Sequence, residues 1–347
     1  MASEHRQLGA TGVQVSPLCL GAMMFGAWGN TDHEECVQII DRALDAGINF
    51  IDTADVYARG ESEEIVGKAL ASGGKRERVV LATKVHGRMH DEDPNQFGNT
   101  RRWIVREVEN SLRRLKTDWI DLYQIHRPEP ETDIDETLGA LTDLVRAGKV
   151  RYIGSSTFQP SQIVEAQWVA QRRGRERFVC EQPPYSLLHR GVEAEVLPVC
   201  DRYGMGVIPW SPLAGGWLSG KYTDGGGTPG SSRRAQAMPT RFDMSLPENQ
   251  AKLEKVRALS ELAERSGMSL IELALAFVTS HRAVTAAIIG PRTIEQLEDQ
   301  LPVLERPTLA PDVLDAIDEI VPPGVNVKAD ERGWDPPWLA DSAQRRR

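Results

Sequence analysis

The distribution of apolar residues along the chain has one recurring unit. Short runs rich in β-branched residues alternate with stretches whose apolar residues return at helical spacing. The runs are Val15–Ala22, Asn49–Asp55, Val79–Lys84, Ile120–His126, Val150–Ser156, Phe178–Tyr185, Gly204–Pro212 and Ala283–Gly290. Nearly continuous apolar strands are buried on both faces, as in a parallel sheet covered by helices. Among the helical stretches, Thr31–Gly47 and Glu136–Lys149 are typical. The second carries Leu138, Leu141 and Leu144 on one stripe, and Gly47 and Gly148 stand where a helix end favours positive φ. Eight such alternations predict a closed (β/α)8 TIM barrel rather than an open doubly wound sheet. A short hairpin, Arg6–Leu8 with Gln14–Ser16, is expected to cover its N-terminal end.

The gap before the last run is wider than the others. It holds a Gly/Pro/Ser stretch over Asp224–Ser232 and a weakly periodic stretch to Pro247, followed by two helices, Glu248 to about Ser266 and Ser269 to about His281. Residues 214–247 are therefore expected to form a flap among the C-terminal rim loops. The segment 321–347, with Pro322-Pro323 and Trp334-Asp335-Pro336-Pro337-Trp338, is expected to be an extended tail. The whole chain of 347 residues reads as one barrel domain with its core at about 5–305.

Composition narrows the class further. A formal charge of −9 argues against a nucleic-acid footprint over most of the surface, leaving room for a local cationic pocket. No apolar run is long enough to span a membrane, and the first residues lack the apolar core of a signal peptide. Cys19, Cys36, Cys180 and Cys200 show neither a disulfide framework nor zinc spacing. A cytoplasmic enzyme without a metal, acting on a small molecule, is the expectation. No feature of the sequence sets the oligomeric state.

In a TIM barrel the chemistry lies at the C-terminal ends of the strands. There the sequence places Asp52-Thr53-Ala54-Asp55-Val56-Tyr57, Lys84 and His126. An aspartate-threonine pair alone serves as readily as a helix N-cap, and most lysines are solvated. Lys84, however, closes the apolar run Val79-Val80-Leu81-Ala82-Thr83, where a charge has no easy structural excuse. Carbonyl reduction builds alkoxide character on oxygen and needs an aimed proton donor. Tyr57 would be that donor, its pKa lowered by Lys84, with Asp52 holding Lys84 and His126 orienting the carbonyl.

The later strand ends suit a phosphate-bearing ligand. They read Gly154-Ser155-Ser156-Thr157, Glu181-Gln182, Trp210-Ser211-Pro212-Leu213-Ala214-Gly215-Gly216 and Gly290-Pro291-Arg292-Thr293. Trp210 offers a stacking face and Arg292 a forked cation. Thr293 with Gln296 would equally form a capping box that needs no ligand. Gly215–Lys221 imitates the start of a P-loop, but Tyr222 replaces the required Ser/Thr and no helix can follow. The Gly-x-Gly-x-x-Gly and Gly-x-Ser-x-Gly fingerprints are both absent.

Phe50-Ile51-Asp52-Thr53-Ala54-Asp55-Val56-Tyr57 with Gly60-Glu61-Ser62-Glu63 resembles the aldo-keto reductase signature. Leu81–Lys84, Asp118–His126 and Leu144–Ser156 resemble its later landmarks, so the resemblance spans about residues 5–305. It is nearest to the bacterial branch related to potassium-channel β-subunits. The resemblance implies NADPH-dependent carbonyl reduction with Tyr57 as general acid. It implies a cofactor site of Gly21, Met23, Asp52, Ser156, Gln182, Trp210, Ser211, Leu213, Gly215, Leu218 and Lys221, with Gly290, Arg292, Gln296, Asp299 and Gln300 around the 2′-phosphate. Trp28, Tyr57, His126 and Trp334 would line the substrate pocket. Two departures are Ala58, where relatives often carry glycine, and Ser156-Thr157 in place of Ser-Asn. The same branch holds interaction subunits that bind NADPH and reductases of deoxysugar pathways, which stand as the alternative functions.

Overall fold

The computed structural model describes residues 5–222, 229, 236, 238–306, 308–329, 331, 333–341 and 343. Two strands, β1 (Arg6–Gln7) and β2 (Gln14–Val15), form an antiparallel hairpin. Eight parallel strands follow: β3 (Leu18–Gly21), β4 (Phe50–Asp52), β5 (Val80–Val85), β6 (Ile120–Ile125), β7 (Val150–Ser156), β8 (Cys180–Gln182), β9 (Gly206–Val207) and β10 (Ala287–Ile289). Each of the first six pairs with the next in chain order, and β10 pairs with β3. The ring closes between β9 and β10, where Val207 bridges Val284 and Pro209 O accepts from Ile288 N at 2.9 Å. This is the (β/α)8 barrel that the alternation predicts, with its hairpin in place.

Several strands are shorter than their apolar runs, because proline interrupts the ladder. Pro17 separates the hairpin from β3, Pro183-Pro184 follows β8, and Pro209 and Pro212 follow β9. Each lacks the N–H that a ladder needs. The helices His33–Asp45 and Ile134–Arg146 are followed by Gly47 (φ +92°) and Gly148 (φ +73°), which take the left-handed turn back toward the sheet. The helices Pro247–Arg265 and Leu270–Ser280 fill the wide gap before β10. Ser269 caps the second with Glu272 in a reciprocal box.

Alternation along the strands divides the core in two. Cys19, Phe50, Ala82, Leu122, Cys180, Ile208, Ala286 and Ile288 point inward and fill the barrel together with Leu8 and Val15 from the hairpin. The outward residues pack against the helices in a second, larger cluster. Two helices lie outside the elements read from the sequence. Pro311–Ile320 begins with proline at its first turn and buries Ile317. Pro337–Ala340 adds one helical turn to the segment expected to be extended throughout.

The rim stretch expected as a flap lies partly outside the described residues, which omit 223–228, 230–235 and 237. Its described ends meet in an aromatic cluster. Trp217 stacks on Phe242 with ring centroids 5.3 Å apart and planes 1° from parallel, and Tyr222 packs beside both. Beneath them the fully buried Lys252 places its ammonium 5.2 Å from the Trp217 ring and pairs with Glu331. Glu331 also lies 2.9 Å from His189, so this carboxylate fastens the C-terminal segment to two other elements.

Candidate active site

The register of the sheet decides which polar groups share the barrel mouth. Gly21 stands opposite Asp52, Asp52 opposite Ala82, Lys84 opposite Gln124, and Ser156 opposite Gln182. With a period of two, Asp52, Lys84, Gln124 and Gln182 are stacked directly above the inward apolar layer. His126 follows β6 by one residue and is inward by the same rule.

Lys84 is wholly buried and donates to Asp52 Oδ2 at 2.5 Å, to the Thr53 carbonyl at 2.8 Å and to the Tyr57 oxygen at 3.1 Å. Burial works against the ammonium, but Asp52 and Tyr57 outweigh it and raise the Lys84 pKa. The other oxygen of Asp52 accepts from Gln124 Nε2 at 3.0 Å and Gln182 Nε2 at 2.9 Å. Three donors thus fix one carboxylate, as a buried charge requires. Tyr57 and His126 meet edge to face with centroids 5.5 Å apart. Trp28, 48% exposed, lies 5.9 Å from Tyr57 on the side open to solvent.

The chain brings Tyr57 into this group through a strained turn. Ala58, Arg59 and Gly60 all have positive φ, two of them without the freedom of glycine. Arg114 packs against Gly60 and pairs with the buried Glu63 and Glu107, so the turn rests on an internal ion network.

One expectation is corrected here. The Tyr57 pKa is raised, because desolvation exceeds the lowering effect of Lys84, and Asp52 opposes the lysine further. The phenol is therefore held as a protonated donor. Burial and the charges of Lys84 and Arg127 push the His126 pKa well down, so its imidazole is neutral. The mouth therefore holds a neutral acid and a neutral hydrogen-bonding ring around one buried ammonium.

A second cluster lies at the ends of β7, β8 and β9. Ser156 donates to the Gln182 carbonyl at 2.9 Å, and the Arg127 guanidinium lies 3.1 Å from the Thr157 hydroxyl and 5.9 Å from the Trp210 ring centroid. The Trp210 indole nitrogen is buried without a partner among the described residues. Ser211 (φ +60°) accepts from Gly215 N at 2.9 Å, which shapes the following turn. Added Cβ atoms at Gly215, Gly216 and Gly290 would meet nothing within 4 Å, so backbone faces open space there. These features fit an extended ligand bearing phosphates.

The remaining candidate residues divide between the mouth and the core. Arg292 is half-buried, its N–H bonded to Gln296 Oε1 at 2.9 Å and its carbonyl to Asn30 at 2.7 Å. Thr293 caps the helix Ile294–Glu298, while the Gln296 side chain turns to Arg292 instead of completing the box. Gln300 donates to the Gln296 carbonyl at 2.7 Å and keeps a buried carbonyl oxygen without a partner, and Asp299 is exposed. Met23 and Leu213 are half-buried and Lys221 is exposed. Leu218 departs from the others: its side chain is wholly buried in the outer core, leaving only its backbone for a ligand. Trp334 is half-buried, and its neighbour Gly333 packs against Trp210, Thr157 and Pro184.

Gln124, Arg127 and Glu181 were not singled out from the sequence. Arg127 directly follows the His126 that ends a strand, a signal that could have found it. Gln124 and Glu181 lie inside apolar runs, and only the register shows what they hold.

A closed barrel with a buried Lys–Asp pair against a tyrosine and a histidine at its mouth defines an oxidoreductase-type site. The chain belongs to the aldo/keto reductase family, whose profile matches residues 17–322. It is 42% identical to the uncharacterized oxidoreductase YrpG of Bacillus subtilis, covering 92% of this chain and 96% of that protein. It is 38% identical to the aldo-keto reductase YhdN of the same organism, covering 85% and 87%. It is also 37% identical to a probable voltage-gated potassium channel subunit beta of Oryza sativa, covering 92% and 96%.

Proposed function

We propose that this oxidoreductase reduces an aldehyde or ketone to the alcohol with NADPH. The observation that carries this reading is the Tyr57 hydroxyl, held protonated by burial and fixed 3.1 Å from the Lys84 ammonium at the open end of the barrel. Bound NADPH supplies the hydride. Tyr57 gives its proton to the carbonyl oxygen, and the fixed ammonium stabilises the phenolate left behind. Neutral His126 offers a second hydrogen bond to the same oxygen and so sets the carbonyl's orientation.

Ser156 and Gln182 would hold the carboxamide of the cofactor, Trp210 would stack on its ring, and the backbone from Ser211 to Gly216 would follow the pyrophosphate. Arg292, Gln296 and Gln300 would meet the 2′-phosphate, with Lys221 as a further cation. Trp28 and Trp334 would line the path of the carbonyl compound. All four cysteines are buried free thiols, in keeping with a reducing cytoplasm. No described helix is long and apolar enough to cross a membrane.

A panel of aldehydes and ketones, followed at 340 nm with NADPH and with NADH, tests the reading. Turnover of at least one carbonyl with NADPH is the expected result. Tight NADPH binding without oxidation by any of them would instead favour a cofactor-binding interaction subunit, as the channel-subunit name of one relative suggests.

A further inference from the structure

Glu181 is a fully buried carboxylate that the reduction chemistry leaves without a task. Glu181 lies at the centre of β8, between the inward residues Cys180 and Gln182, and its side chain points away from the barrel interior. No lysine or arginine forms an ion pair with it among the described residues. An ionisable group in that position is costly unless its hydrogen bonds are complete or its charge is used.

Its bonds all go to one turn. Ser155, its partner across the β7–β8 ladder, donates its hydroxyl to Oε2 at 2.5 Å. The Phe158 N–H donates to Oε1 at 3.1 Å. One carboxylate therefore ties together the two ends of the turn Ser155–Phe158. Between them, Thr157 adopts φ +62°, a left-handed conformation unfavourable for a β-branched residue. Such strain persists only where the surroundings over-determine it. Thr157 N also bonds the Gln182 carbonyl at 3.2 Å, and Ser156 bonds that same carbonyl. Glu181 is the only side chain bonded to both ends of the turn among the described residues.

We propose that Glu181 is a positioning residue that holds the Ser155–Phe158 turn in the shape that receives the nicotinamide end of NADPH. The inference rests on the NADPH reading above, in which Ser156 and Gln182 meet the carboxamide. It goes further by assigning the shape of that subsite to a carboxylate that no ligand touches. The side chain must accept twice, from an O–H and from an N–H, which glutamate does and glutamine cannot without turning an NH2 toward Ser155. Burial pushes the Glu181 pKa up to about 7, against the bonds from Ser155 and the turn's backbone and the charge of Arg127. Those compensating bonds are the ones the turn depends on.

Calorimetric titration of the full-length protein with NADPH, and separately with adenosine 2′,5′-bisphosphate, tests the proposal. The bisphosphate reports the adenosine end alone. Glu181→Gln should weaken NADPH about tenfold and leave the bisphosphate within twofold, and should raise KM for NADPH more than it lowers kcat. Ser155→Ala should weaken NADPH as well, and adding Glu181→Gln to it should cost less than Glu181→Gln costs alone. Unchanged NADPH affinity in Glu181→Gln overturns the proposal. So does an equal loss for both probes, which marks general loosening. If the wild-type protein binds the bisphosphate but not NADPH, or neither, the cofactor reading itself fails and the proposal falls with it.

Discussion

The Lys84 ammonium lies 3.1 Å from the Tyr57 oxygen and 4.8 Å from the centre of its ring, with Lys84 wholly buried and Tyr57 buried beside it. The phenol is therefore tuned by two opposing effects, burial that keeps its proton and a cation that stabilises its anion. Tyr57→Phe removes the proton and little else. Turnover should fall by about 10²–10⁴-fold while the dissociation constant for NADPH stays within about threefold. Steady-state kinetics alongside cofactor titration measure both, and retained turnover would sink the assignment.

Replacing Lys84 should be harsher than replacing Tyr57. Lys84→Met leaves Asp52 as a buried carboxylate without its cation, which costs about 3–5 kcal/mol of stability. Denaturant unfolding should show that loss. The double variant Asp52→Leu/Lys84→Met, which removes both charges, should recover most of it and remain inactive.

Arg292 offers a test of cofactor choice. The residue is half-buried just beyond β10, with its backbone N–H bonded to the Gln296 side chain. Arg292→Ala should raise KM for NADPH about tenfold or more and change that for NADH by less than threefold. An equal effect on both coenzymes would remove Arg292 from the 2′-phosphate site.

The Glu331 fastening predicts a pH dependence of stability. Burial alone would raise this carboxyl, but hydrogen bonds from His189 and Lys252 and the charge of both bring it down to about 2, from an ordinary 4.5. A carboxyl with a depressed folded pKa stabilises the protein above its unfolded value and loses that contribution as pH falls through the folded one. Stability should therefore drop by about 3 kcal/mol between pH 4.5 and 2 through this group. Glu331→Gln should be less stable at pH 7 and show a shallower acid limb in urea unfolding. An unchanged limb would refute the role.

The barrel was legible because its strands are short, apolar and followed by helical stripes ending in glycine. Lys84 was legible for a different reason, as a charge closing a run that gives it no surface to occupy. What escaped notice depends on register. Gln124 looks like one polar interruption in a strand until pairing sets it opposite Lys84 and against Asp52. The net direction of the Tyr57 pKa escaped for a related reason, since the sequence shows the neighbouring charge but not the depth of burial. Leu218 shows the converse limit: a motif position can match while its side chain faces the core.

The hairpin at the barrel floor has a consequence for traffic. Leu8 fills the interior from below, and a Cβ at Gly9 would fall within 2.7 Å of the backbone of Val179, Gly204 and Gly206. The barrel is thus a cul-de-sac. In the proposed reaction, cofactor, carbonyl compound, alcohol and the proton that recharges Tyr57 would all pass through the opposite, C-terminal mouth, so an occupant of the rim would delay whatever lies deeper.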